Sequence, residues 1–304
     1  MIKGVNLKKI YESGFFSKEE TIAVEGVDIR IDDGETLSLV GGSGCGKSTL
    51  GKLLLIQTDP TDGKVFFKEK ELTAMENSEI RNLRKNFQLI PQHPEDALDP
   101  RWEIRRSIAE PFLIQNSLTR GEIDSHVDTL IHKVGLQEEH KHRYPHELSG
   151  GELQRAVIAR SIALNPDFIV CDEPTSMLDV SVQAAVLTLL KEVQKEYGMS
   201  FLFITHDLEV AKVMGDRIAV MYAGQIVEEG KGVFDNPLHP YTKMMDGSLK
   251  VKDSGVNFSA ELYRKGMPQG CSFYHQCPER SEACMQPQSL RDVGGRSVRC
   301  IRCG

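Results

Sequence analysis

Short apolar runs and helical periodicities divide this chain into a predicted order of elements. VEGVDIRI (24–31) and ETLSLVG (35–41) read as strands, and the second runs straight into a glycine-rich segment. KSTLGKLLLIQ (47–57) predicts a helix whose start the preceding glycines mark. FQLIP (87–91) is a further apolar run at strand length. Helical patterns then dominate from about 95 to 163, in WEIRRSIAEPFLI, GEIDSHVDTLIHKVGL and GGELQRAVIARSIAL. A β/α alternation resumes at DFIVCDEP, SFLFITHD and DRIAVMYAGQIVEEG. The expectation is a parallel α/β core interrupted by an α-helical insertion. HPYTKMM (239–245) begins a different region, and from Lys250 onward the chain is polar and short of apolar runs. Two domains follow from this: 1–242, with the helical part at about 95–163, and a small extension at 243–304.

Composition narrows the options. With 304 residues, 40% of them hydrophobic, a sizeable core is within reach. The net charge of −7 comes with no dense Lys/Arg block, which argues against a nucleic-acid partner. RNLRK (81–85) reads as a solvated helix face. No apolar run approaches the length that crosses a bilayer, and the start MIKGVNLKKIYESG lacks the apolar segment of a signal peptide. A cytosolic protein is expected, one that works at a membrane only by docking on partner chains.

The candidate chemistry centres on GGSGCGKST (41–49). Gly41, Gly42, Gly44 and Gly46 let the backbone bend, so that the N–H groups of the loop, Ser43, Cys45 and Thr49 included, surround phosphate oxygens. Lys47 is placed for the β- and γ-phosphates and Ser48 for Mg²⁺. Asp172 closes the apolar run FIVC, where a carboxylate can hold Mg²⁺, and Glu173 can polarise the water attacking the γ-phosphate. His206 follows the run SFLFIT and is assigned to the γ-phosphate and that water. Gln92, at the junction between FQLIP and the helical block, can touch Mg²⁺ or water; Gln88, inside the apolar run, is the structural alternative. In LSGGELQR, Ser149 offers a hydroxyl and Gly150 and Gly151 expose N–H groups at a helix start. A second phosphate site makes sense if it serves ATP held by another copy. Asp179, in SMLD, belongs to a loop expected to meet that copy. Tyr11 is the choice for stacking on adenine, with Phe15 and Phe16 as alternatives.

These segments resemble the ATPase subunits of ABC transporters over about residues 1–242. HPEDALDPR, DEPTSMLDVSVQAAVLTLL, NPLHPYT and GCSFYHQCPERSEAC resemble the branch that serves peptide and nickel importers. The resemblance implies a P-loop NTPase core with an α-helical signature subdomain. It also implies two ATPase subunits, identical or paralogous, joined head to tail around two ATP molecules. Two permease subunits would dock near Gln92 and the helical insertion, a binding protein outside the membrane would deliver the solute, and the chain would sit on the cytoplasmic face. Where the branch usually has SALD, this chain has Met177, read as a packing change. Competing functions are the motor of an exporter or of cofactor trafficking, and a soluble ABC ATPase acting on nucleic acid; a single cassette without a coiled-coil insertion weighs against the last.

Five of the seven cysteines fall in the final stretch: Cys271, Cys277, Cys284, Cys300 and Cys303. In a reducing compartment such a cluster favours a metal over disulfides. Four thiolates suit an iron–sulfur cluster or zinc, and the wide gaps leave zinc and a metal-free tail open. The resemblance favours a [4Fe–4S] cluster, with Cys271, Cys277, Cys284 and Cys300 as ligands and Cys303 spare.

Overall fold

A computed structural model describes residues 1–13, 19–116, 118–249 and 270–303. The elements are, in chain order, β1 (Ile2–Ser13), β2 (Glu19–Ile31), β3 (Thr36–Val40), α1 (Lys47–Leu54), β4 (Asp62–Phe67), β5 (Lys70–Glu71), α2 (Asn77–Leu83) and β6 (Phe87–Ile90). Then come α3 (Ile104–Gln115), α4 (Arg120–Lys133), α5 (Gly150–Ile162), β7 (Phe168–Asp172), α6 (Val180–Tyr197) and β8 (Ser200–Thr205). The last are α7 (Leu208–Met214), β9 (Arg217–Tyr222), β10 (Gln225–Gly230), α8 (Pro240–Met245), β11 (Arg291–Val293) and β12 (Arg296–Val298). They fall into two compact units. One holds Met1–Asp32, Thr36–Ala74 and Phe203–Gly304; the other holds Asp33–Glu35 and Met75–Leu202.

In the first unit an antiparallel sheet runs in the order β2-β1-β4-β5. A second sheet there has β3 parallel to β9, β10 antiparallel to β9, and β12 and β11 beyond β10. All five residues of β3 are buried, the polar Thr36 and Ser38 among them. Ser38 is tolerated in that strand because its hydroxyl donates to the Ala211 carbonyl of α7 at 3.0 Å. The C-terminal segment enters this unit through β12, which pairs with β10 at Glu228↔Val298. Phe273 and Cys277 from that segment join Val40, Val220, Tyr222 and Tyr241 in one core cluster. A region short of apolar residues is therefore held by a single well-placed aromatic and a strand pairing.

In the second unit β6 pairs in parallel with β7, Leu89 opposite Val170 and Ile90 opposite Cys171. The three periodic segments of the helical block form α3, α4 and α5. Arg160 of α5 places Nε and Nη2 on Glu110 of α3 at 3.0 and 2.7 Å, tying the two helices by a forked, partly buried ion pair. Thr119 caps α4 with Glu122 in a reciprocal capping box. One expectation is shortened: the helix predicted over 47–57 ends at Leu54, where the chain turns through Ile56 at a left-handed φ of 49°. Arg81 lies on the exposed side of α2, whose buried residue is Ile80.

Candidate active site

The phosphate loop is set by its surroundings in the first unit. Gly46 precedes α1 at φ 109°, and a Cβ there would stand 2.1 Å from the Ala23 carbonyl, so both backbone angle and space demand glycine. Gly42, Ser43 and Gly44 are exposed, as is Ser48 at the start of α1, with Thr49 half-buried behind it. Lys47 is 6% exposed, and its ammonium donates to the carbonyls of Gly41 at 2.8 Å and Gly42 at 3.0 Å. The lysine is thus held by its own loop. Cys45 is buried, which raises its thiol pKa, and its carbonyl accepts the Gly224 N–H at 2.9 Å. Its side chain serves packing, and its place in the loop is a backbone one.

His206 follows β8, is exposed, and borders a cavity of about 250 Å³ together with Gly41, Gly42, Ser43 and Tyr241. Its neighbour Asp207 caps α7, accepting from the N–H groups of Glu209 at 2.9 Å and Val210 at 3.1 Å. The histidine of ITHD is therefore left facing the phosphate loop while the aspartate shapes the turn. Tyr11 lies on β1 opposite Thr21, 41% exposed, with the Lys9 ammonium 5.3 Å from its ring centre. Phe15 and Phe16, the alternatives for adenine, lie outside the described residues.

In the second unit Asp172 closes β7, and Glu173 follows at a left-handed φ of 47°. Such a conformation is costly for a side chain with a Cβ and is maintained here by its neighbours. The N–H and the hydroxyl of Ser176 both donate to the Glu173 carbonyl, at 3.2 and 3.1 Å. Gln92 donates through Nε2 to the Glu173 carboxylate at 3.4 Å, which brings together two of the residues assigned to the attacking water. Gln88, by contrast, donates to the Arg84 carbonyl at 3.2 Å and serves the local turn.

Ser149 caps α5 in a capping box: Glu152 accepts from the Ser149 N–H at 2.9 Å and hydroxyl at 2.8 Å. The backbone bond from Ser149 draws the Glu152 carboxyl below its usual range. Gly150 and Gly151 then open the helix, and a Cβ on Gly151 would meet Val182 of α6 at 2.4 Å. Asp179 caps α6, accepting from Ser181 Oγ at 2.7 Å and Val182 N–H at 3.0 Å; the first of these lowers its pKa. The reading of Met177 as a packing change is corrected: it is 63% exposed, and Val180 nearby is 83% exposed. A groove of about 540 Å³ lies between residues 96–102, Glu110 and Arg160.

The cysteine segment is a site of its own in the first unit. Cys271, Cys277, Cys284 and Cys300 line one cavity with His239 and Phe273. Burial pushes Cys271 up to about 11 and holds His239 down to about 3, hence neutral. The thiol of Cys303 donates to the Leu238 carbonyl at 3.3 Å, and its hydrogen bond with the Cys300 thiol lowers the Cys300 pKa. Among the described residues no group of three or more His, Cys, Asp or Glu side chains is close enough to hold a single ion. None of the described helices is long and apolar enough to cross a membrane. One contact at the loop escapes motif logic altogether, the bond from the Gly42 N–H to the Tyr241 hydroxyl at 3.0 Å. HPYT marks a subfamily in the sequence, but nothing in it announces that contact.

Comparison with known proteins agrees with this geometry. Residues 24–176 match the ABC transporter family model, and residues 227–284 match the oligopeptide/dipeptide transporter C-terminal region. The dipeptide transport ATP-binding protein DppF of Escherichia coli is 39% identical over 99% of this chain and 94% of its own length. A putative oligopeptide transport ATP-binding protein of Bacillus subtilis, YkfD, is 43% identical over 97% of this chain and 93% of its own. Among solved structures, a dimeric ATP-binding cassette in a post-hydrolysis state, bound to ADP and phosphate, aligns with a TM-score of 0.69 at 29% identity. It covers 76% of this chain and 98% of that one. A P-loop cassette carrying the signature helix and this C-terminal region has one reading: the chain belongs to the ABC transporter family as an ATP-hydrolysing subunit of its oligopeptide/dipeptide branch.

Proposed function

We propose that this chain powers uptake of peptides through partner permeases, as the ATPase on the cytoplasmic face of the membrane. The observation that carries the reading is the oligopeptide/dipeptide C-terminal region following an ABC cassette in one chain. Lys47 and the N–H groups of the loop other than that of Gly42, which Tyr241 accepts, hold the phosphates. Glu173 takes the proton of the water that attacks the γ-phosphate, Gln92 and His206 hold that water in line, and ADP and phosphate leave. Ser48, Gln92 and Asp172 supply a hydroxyl, an amide and a carboxylate, an all-oxygen set that suits Mg²⁺, which when bound offsets phosphate charge. Tyr11 stacks on adenine. Ser149, Gly150 and Gly151 serve ATP held by a second ATPase subunit, and Asp179 faces that subunit, where exposed Met177 and Val180 await cover. The groove at residues 96–102 receives a permease helix. An extracytoplasmic binding protein supplies the solute without touching this chain. We place the boundary between cassette and extension at residue 242.

Cys271, Cys277, Cys284 and Cys300 are proposed as ligands of a [4Fe–4S] cluster. The observation behind this choice is that all four thiols line one cavity. Such a cluster would staple a segment with little core of its own.

The test is reconstitution with the partner permeases and binding protein in vesicles. ATP-dependent uptake of labelled di- and oligopeptides is expected. Uptake of Ni²⁺ alone, or ATP turnover indifferent to peptide, would overturn the peptide assignment. Iron and sulfide analysis of anaerobically purified protein reads the cluster directly; colourless, iron-free protein would refute it.

A further inference from the structure

The phosphate loop is braced by a residue that no nucleotide motif contains. Tyr241 is 4% exposed, and its hydroxyl accepts the Gly42 N–H at 3.0 Å. Its ring is fixed between Tyr222, 4.5 Å away centre to centre, and Phe273 at 5.5 Å. Phe273 is fully buried and meets Tyr222 edge-on at 5.4 Å. It belongs to the cysteine segment, where its carbonyl accepts the Cys277 N–H at 2.9 Å and the Cys271 carbonyl accepts the next residue's N–H at 3.0 Å. The backbone of Tyr241 is tied as firmly. Its N–H donates to His239 Nδ1 at 3.0 Å. The N–H groups of Leu238 and His239 in turn end on the buried Glu228 carboxylate of β10, at 3.1 and 2.8 Å.

We propose that Tyr241 is a positioning residue of the phosphate loop, held in place by the cysteine segment through Phe273. Gly42 lies on the exposed part of a loop rich in glycine, which on its own samples many backbone states. Fixing one N–H of that loop lowers the ordering cost when phosphate arrives, so the bond acts on nucleotide affinity more than on the chemical step. The extension thereby tunes ATP binding through the hydroxyl that Tyr241 offers the loop backbone. The inference takes the ATP site of the family as given; the wild-type baseline tests that separately.

The experiment compares wild type, Tyr241→Phe and Phe273→Leu in the full chain. It measures the Kd for ATP, KM, kcat and the thermal midpoint. Loss of one hydrogen bond predicts an increase of about fivefold in Kd and KM for Tyr241→Phe, with kcat at saturating ATP and the thermal midpoint close to wild type. Phe273→Leu should shift KM the same way while keeping the hydroxyl. Wild-type affinity in Tyr241→Phe, or a fall in kcat with KM unchanged, would overturn the proposal. Absence of ATP binding in the wild type would instead strike at the ATPase reading.

Discussion

Lys47 shows how a phosphate site can wait in readiness. Burying an ammonium is tolerable only with partners, and the carbonyls of Gly41 and Gly42 provide them. Arriving phosphate oxygens would compete for the same donors. Lys47→Ala should therefore weaken nucleotide binding itself, by at least about tenfold for a charge-assisted bond, in a titration with an ATP analogue. Unchanged affinity would remove Lys47 from the role. Lys47, Glu173 and Ser149 could be proposed from sequence because each sits in a short local motif, GGSGCGKST, DEP and LSGG. Tyr241 could not, since 199 positions separate it from Gly42 and only folding joins them. Met177 was read as a packing change, and its 63% exposure is something the letter alone does not carry. The left-handed backbone at Glu173 likewise has no signature in DEP.

The same contrast holds among elements. β3 and β8 are buried along their whole length, and the apolar stretch FLFI of β8 and the leucines and valine of β3 mark them in sequence. The helices of the insertion carry a periodicity that survives in sequence, and a capping box at Thr119 or Ser149 marks where each begins. β11 and β12 are three residues each, RDV and RSV, too short and polar to show any period. Their place depends on β10, whose Glu228 is fully buried. That carboxylate gathers the N–H groups of Leu238 and His239 and the guanidinium of Arg296, fixing the entry to α8. Glu228→Ala would leave those donors unpaired in the interior and should cost about 3 kcal/mol or more in denaturant unfolding. A midpoint like that of wild type would mean water replaces the carboxylate.

At the level of the whole molecule, the exposed apolar side chains of Met177 and Val180 flank Asp179, proposed above to face a second ATPase subunit in an ATP-bound dimer. Glu173→Gln should trap that state, since ATP binds but turns over at least about a hundredfold more slowly. A dimer is expected in size-exclusion chromatography with ATP and Mg²⁺. Adding Met177→Asp should return it to monomer while each chain still binds nucleotide, and a persistent dimer would place the interface elsewhere. Assembly was legible only as logic, because a partner's surface leaves no periodicity in this chain.

The hairpin of β11 and β12 also guards this protein from its own kind. β10 pairs with β9 on one side and, at Glu228 and Glu229, with β12 on the other. Without the C-terminal segment, β10 would present an open row of backbone donors and acceptors, a template for another chain's strand. The outermost strand is instead three residues long, and Arg291 and Asp292 at its start are both exposed and charged. A chain cut before Gly270 should still hold the phosphate-loop motif yet precipitate on concentration, with light scattering rising before any loss of helical signal.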